Sequence, residues 1–341
     1  MEMLTNNMLL KGGFWATLIN NFASGIGNYG WAIIVFTICL KLIMSPLDVL
    51  QRVQSQKQTK FMSVMQPEME ALQKKYGDNR EKLNQEQAKL YKKYNVNMGG
   101  MCFSLLITMA ISLTVFLTLF SSLKAYGNEK LLDTYQDLDK VVVAKLDERN
   151  IEDLTDTEKA ELKIDITEEY KKIEEKNSWL WVKNVWKGDT TKSQFVDFET
   201  FAKSRVEEGD KEQAKQRYEF ITSTVLDGKK DSNGCYVLII FAVAVSFLTQ
   251  WLSSKLMSQK GQKMNTMNKV MFAVIPISMA IFAFTSNVVF TLYIITNSIM
   301  TAIISTIISF VLKSINKNNG GDVLTTGKKV EVVEYSRNYK K

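Results

Sequence analysis

The chain alternates long runs without charge and stretches dense in it. No Asp, Glu, Lys or Arg occurs between Lys93 and Lys124, between Asp231 and Lys255, or across the 43 positions separating Lys269 from Lys313. A helix needs about 20 apolar residues to cross roughly 30 Å of hydrocarbon, so the first two runs hold one span each and the third holds two. The run from Lys11 to Lys41, continued to Asp48, supplies another. The pattern predicts an all-α membrane protein with five transmembrane helices, at 29–50, 98–123, 234–252, 270–285 and 286–312. The fourth is short. Its apolar stretch, 270–284, reaches only about 22 Å, which requires a thinner bilayer or shelter by neighbouring helices.

Residues 51–97 carry a second period. Met62, Met65, Met69, Leu72 and Tyr76 step by three and four, Gly77, Asp78 and Asn79 punctuate, and Leu83, Gln87, Leu90 and Tyr94 resume. This spacing predicts an antiparallel helical hairpin. Met62, Met65 and Met69 either seal the hairpin's own seam or offer a pliable apolar surface to varied partners. Residues 124–233 are enough for a small, mostly helical domain, with a capping-box signature at Thr155 and Glu158. Trp179, Trp181 and Trp186 read as membrane-interface anchors or as that domain's own core. Within residues 1–28, Phe14, Leu18, Phe22 and Ile26 recur every four residues, which fits an amphipathic helix on the outer membrane surface, a frayed terminus being the alternative.

Composition hides this plan. With 43 basic and 36 acidic residues among 341, and 46% hydrophobic, the average resembles a soluble protein. The distribution of charge restores it. Basic residues outnumber acidic ones 10 to 5 in 51–100, 4 to 0 in 253–269 and 7 to 3 in 313–341, whereas 124–233 holds 20 basic and 26 acidic. Five spans place the three basic segments on one face. The positive-inside rule makes the hairpin, the 253–269 loop and the 313–341 tail cytosolic, and the N-terminus and the 124–233 insert external. The first 28 residues lack the basic start and cleavage site of a signal peptide, and a bacterial plasma membrane, crossed several times, is the simplest address. There is no histidine, which removes the commonest general base, and Cys39, Cys102 and Cys235 show no metal-binding spacing, which argues against a zinc site or a disulfide framework. No phosphate-binding loop is present either. The expectation is a protein that is not an enzyme and takes no cofactor and no metal.

Lys41 is the only charge between Lys11 and Asp48, about 18 Å along the helix from Tyr29. A lysine at that depth is costly, hence a functional candidate. It either snorkels to the headgroups on its flexible stem or sits in a wet cavity lined by polar side chains. Candidates for that lining are Thr108 and Ser112, four apart on one helix face, and Thr296, Asn297 and Thr301. The hydroxyls can equally bond back to their own helix, whereas a mid-span amide such as Asn297 needs a partner or water.

Gly27 to Ile34, then Leu40 to Leu47, resemble the first core span of the YidC family of membrane protein insertases, to which the mitochondrial oxidase-assembly and chloroplast Albino insertases are related. Gln66, Pro67 and Glu68, Leu72 to Tyr76, Leu83 to Glu86, Leu90 to Lys92, and Asn95 to Gly100 resemble its cytosolic hairpin, and Leu292 to Asn297 its last span. The insert is similar only at Trp179 to Trp181. The resemblance implies a hydrophilic groove open to cytosol and lipid, in which one cation receives the polar segment of a nascent membrane protein. Lys41 stands where the family usually has arginine, Thr108 where a glutamine is common, and Ile303 where another glutamine stands. The partners implied are nascent membrane proteins, the ribosome and the lipid bilayer, with the Sec translocon left open. The rival readings are a secondary transporter or channel, which normally needs intramembrane carboxylates or repeats, and a scaffold acting through its external domain. An insertase is expected to tolerate deletion of 130–230; a scaffold is not.

Overall fold

The computed structural model describes residues 13–93, 98–147, 149–227, 232–257 and 266–318. Among these, the regular elements are helices, with one isolated antiparallel bridge between Trp179 and Val182. In order they are α1 (Gly13–Ile26), α2 (Tyr29–Tyr76), α3 (Arg80–Lys93), α4 (Met98–Leu146), α5 (Asp156–Asn177), α6 (Phe198–Arg205), α7 (Lys211–Leu226), α8 (Val237–Met257), α9 (Thr266–Thr285) and α10 (Val288–Asn318). The chain is all-α. Among the described residues, four stretches are long and apolar enough to cross a membrane, Tyr29–Gln56, Met109–Leu146, Val237–Leu256 and Val288–Ser314, and a shorter apolar one lies at Val274–Thr285.

Helices do not end where hydrophobicity does. The 48 residues of α2 continue from apolar into polar sequence through Pro46 and Pro67, and the 49 residues of α4 likewise begin apolar and continue into charged sequence. A change from apolar to charged side chains alters what surrounds a helix, while its backbone hydrogen bonds remain internal. Each interior proline removes one N–H donor without ending the helix here. Gly77 and Asp78 form the turn that does end α2.

The chain divides into two compact units. The first comprises the described parts of Met1–Leu42, Thr114–Gln250 and Val270–Met300. Its main core joins Ile19 of α1, Ile33 and Phe36 of α2, Leu119 and Leu123 of α4, Leu238 of α8, Ala283 of α9 and Phe290 of α10. The buried stripe of α1 is Ala16, Ile19 and Ala23, while Phe14 and Ile26 are exposed. Of the four-residue repeat of large side chains, Leu18 and Phe22 pack half-buried against the margin of this core, and the centre of the packed face is the Ala16, Ile19 and Ala23 stripe. At 3.6 residues per turn a strict period of four drifts around the helix, and alanines allow closer approach. Polar contacts fix the same packing: Trp15 Nε1 donates to Thr118 Oγ1 at 3.1 Å, and Asn20 Oδ1 accepts from the hydroxyls of Tyr29 at 2.9 Å and Tyr126 at 3.1 Å.

Within the same unit, the insert has a second core of its own. Leu132, Tyr135, Leu138 and Val142 of α4 pack with Leu162 and Ile166 of α5, Phe201 of α6 and Ile221 of α7. Arg205 pairs with Glu129 and Asp133, and Arg217 Nε donates to Asp139 Oδ1 at 2.7 Å, tying α6 and α7 to α4. The capping box forms: Glu158 N–H donates to Thr155 Oγ1, and Thr155 N–H to Glu158 Oε2 at 2.8 Å.

The second unit comprises the described parts of Ile43–Leu113, Trp251–Lys269 and Thr301–Lys341. It contains the α2–α3 turn, with Lys93 Nζ 3.0 Å from Glu68 Oε2 across the two helices.

Candidate functional site

In the first unit, the loop between α5 and α6 behaves as a polar roof over the ends of apolar helices. Asp189, 1% exposed, accepts from the N–H groups of Cys235 at 2.8 Å and Leu238 at 2.6 Å, which satisfies donors at the start of α8 that no helical carbonyl can reach. Val288 N–H donates to Lys187 O at 2.9 Å and Val289 N–H to Val185 O at 3.1 Å, doing the same for α10. Asn287 caps α10 by accepting from Phe290 N–H and donates to Leu123 O of α4 at 3.0 Å. A side chain at Gly127 would overlap the Asn287 amide, so glycine is what lets α4 and α10 come this close. The Thr291 hydroxyl donates to Ala283 O near the end of α9. Asn28, just before α2, donates to Ser178 O at 2.7 Å.

The three tryptophans differ in burial, and Trp186 takes a place outside both roles that the sequence left open. Trp186 is buried in the main core, edge-on to Tyr29 at 4.8 Å and Tyr126 at 5.2 Å between ring centres, with its Nε1 donating to Asn177 Oδ1. Trp179 is half-buried against Trp31. Trp181 is exposed. None of them belongs to the insert's own core, so the roof is a part of the apolar helix unit that the insert happens to carry. Beneath it lies an apolar cleft of about 470 Å³, lined by α2, α8, α10 and Trp179 to Trp181, which holds Thr296 as its polar member.

The expected groove residues fall as follows. The first unit holds Lys41, half-buried on α2, and Thr296, buried, with Asn297, half-buried, on α10. Ser112, exposed on α4, and Thr301, half-buried on α10, belong to the second unit, and the side chain of Thr108 lies outside the described residues. In the hairpin, Met65 is 1% exposed, Met69 is half-buried, and the Met62 side chain lies outside the described residues. The sequence reading missed Asp189 and Asn233, whose amide donates to Asn184 O and Gly188 O at 2.9 Å, because isolated polar residues in a charged insert carry no periodic signal. It also missed Arg52, hidden among the many basic residues that follow the first span.

Residues 21–314 match the family described as 60Kd inner membrane protein. That stretch takes in α2, α4, α8, α9, most of α10 and the roof. The chain belongs to this family. Among the relatives it resembles, the membrane protein insertase YidC of Stutzerimonas stutzeri (strain A1501) is 36% identical over 111 residues, 33% of this chain and 19% of the relative. Those of Nitratidesulfovibrio vulgaris (strain DSM 19637 / Miyazaki F) and Oleidesulfovibrio alaskensis are 35% and 41% identical, over 31% and 30% of this chain and 19% and 18% of the relatives. The chain thus aligns with about a fifth of the length of these proteins. Membership of an inner-membrane family agrees with four helices able to cross a bilayer and with the membrane address read from the charge pattern.

Proposed function

We propose that the chain is a membrane protein insertase. The observation that carries this reading is Lys41. It is a half-buried cation within the apolar stretch Tyr29–Gln56, inside the region that matches the 60Kd inner membrane protein family. An ammonium at that depth attracts the acidic or polar part of an incoming polypeptide and shortens its exposure to hydrocarbon. The apolar part of the substrate then leaves sideways into lipid, driven by about 25 cal/mol for each Å² of apolar surface removed from water, so no nucleotide is needed. Thr108, Ser112, Thr296, Asn297 and Thr301 keep the path hydrated, and the hairpin with Met62, Met65 and Met69 receives the substrate on the cytosolic side. The ribosome, through the basic segments, and a Sec translocon are the partners of this cycle.

The roof supports a five-span plan with the N-terminus outside. The loop reaches α2, α8 and α10 at their starts and α4 at Tyr126, and at the same layer Thr291 of α10 meets Ala283 near the end of α9, so successive helices present alternate ends there. The test is depletion of the protein followed by protease mapping of newly made small membrane proteins. Loss of their normal topology is expected. Unchanged topology of every substrate would overturn the reading in favour of a transporter or scaffold.

A further inference from the structure

Arg52 has no part in the insertase cycle above, yet its surroundings are unusual for an arginine. It lies four residues before the end of the apolar stretch Tyr29–Gln56 on α2, and Ser309 lies five residues before the end of Val288–Ser314 on α10. Apolar helices leave hydrocarbon for the headgroup layer at such ends. Arg52 is 8% exposed and Ser309 1%. Arg52 Nη2 donates to Ser309 Oγ at 3.2 Å, and the buried Nε donor has no acceptor. One neutral hydroxyl does not compensate a guanidinium taken out of water. Beside this polar point the surface is greasy: Val49 and Leu50 on α2, and Ile307, Phe310 and Val311 on α10, are all exposed.

We propose that Arg52 and Ser309 hold the phosphodiester of a membrane phospholipid, with its acyl chains laid over those flanking apolar residues. A guanidinium presents coplanar donors that fit phosphate oxygens, and the orphaned Nε is among the donors that the single bond to Ser309 leaves unused. The occupant is resident. A polypeptide carboxylate passing through would satisfy the charge only in transit, whereas a lipid phosphate is present at headgroup level at all times. The site does not depend on insertase activity and is read without it.

The test is native mass spectrometry of the full chain in detergent, titrated with phosphatidylglycerol or with inorganic phosphate. Wild type should bind the lipid saturably and ignore inorganic phosphate at the same concentration. Arg52→Gln should weaken lipid binding by about tenfold or more, the scale of a lost charge-assisted hydrogen bond, and Arg52→Lys by less, since charge remains but the planar fork is gone. Ser309→Ala, a one-atom deletion, should weaken it measurably and decides the matter if Arg52→Gln does not fold. Equal affinity of wild type and these variants would overturn the proposal. So would displacement of the lipid by an equal concentration of inorganic phosphate, or a photoreactive group on Ser309→Cys that captures nascent polypeptide and no lipid.

Discussion

Charge at position 41 tests capture directly, because the sign of one side chain can be reversed without touching the apolar face of α2. Lys41→Arg should insert substrates as well as wild type, since a guanidinium keeps the charge and adds a fork for carboxylates. Lys41→Glu should insert substrates with acidic translocated segments about tenfold more slowly, with neutral segments less affected, because at short range a reversed charge is worth on the order of 1 kcal/mol even in water. Pulse-labelling with protease mapping reads both. Equal rates for the two variants would remove electrostatics from the mechanism. Asp189 makes a different kind of prediction. Asp189→Ala leaves the N–H groups of Cys235 and Leu238 without their acceptor. Each buried unsatisfied donor costs about 1–3 kcal/mol, so thermal unfolding in detergent should occur at a clearly lower temperature, and Asp189→Asn should recover part of the loss.

At the scale of the element, the N-terminus of α5 ties stability to pH. The Thr155 backbone N–H, the Thr155 hydroxyl and then Arg149 hold the Glu158 carboxyl at about 2, below its ordinary 4.5. A depressed carboxylate favours the folded state above its unfolded value and loses that contribution as pH falls from about 4.5 through about 2. The insert's helical signal should therefore weaken over that window, and Glu158→Gln should flatten this part of the profile in a circular-dichroism titration. Thr155→Ala should cost about 0.5–2 kcal/mol at neutral pH. In the hairpin, Met69→Asp should impair substrate handling while the helices stay folded; unchanged insertion would reduce that face to a spacer. The capping box, the turn at Gly77 and Asp78 and the apolar helices were legible in the sequence, because each depends on neighbours within about a turn or on a sustained run. The ends of α2 and α4 were not, since a helix can outlast the apolar pattern used to find it. The packed face of α1 was hidden because Ala16 and Ala23 matter through smallness rather than hydrophobicity.

At the scale of the molecule, the part of the insert that matters to the apolar helices is the part the sequence made least conspicuous. Hydrophobic runs pointed to the apolar helices, the segmental distribution of charge gave the expected sidedness, and Lys41 stood out as a lone charge in an apolar run independently of the family resemblance. Asp189, Asn233 and Asn287 were beyond reach, since each acts on a partner dozens of residues or more away. Deletion of 130–230 would remove Trp186 and Asp189 together with the insert's own core, so it should deplete the protein from membranes, contrary to what the sequence suggested for an insertase. Deletion of 198–226 alone, which removes α6 and α7 but spares the roof, should leave a membrane-integrated protein with insertion activity; immunoblotting of washed membranes and the insertion assay separate the two. The shared cap has one more effect. A peptide synthesised before α8 and α10 finishes the first turns of both, so neither can settle correctly unless its leading end has arrived on the side where that peptide already waits. A helix that arrived the other way round would leave those first amides without acceptors.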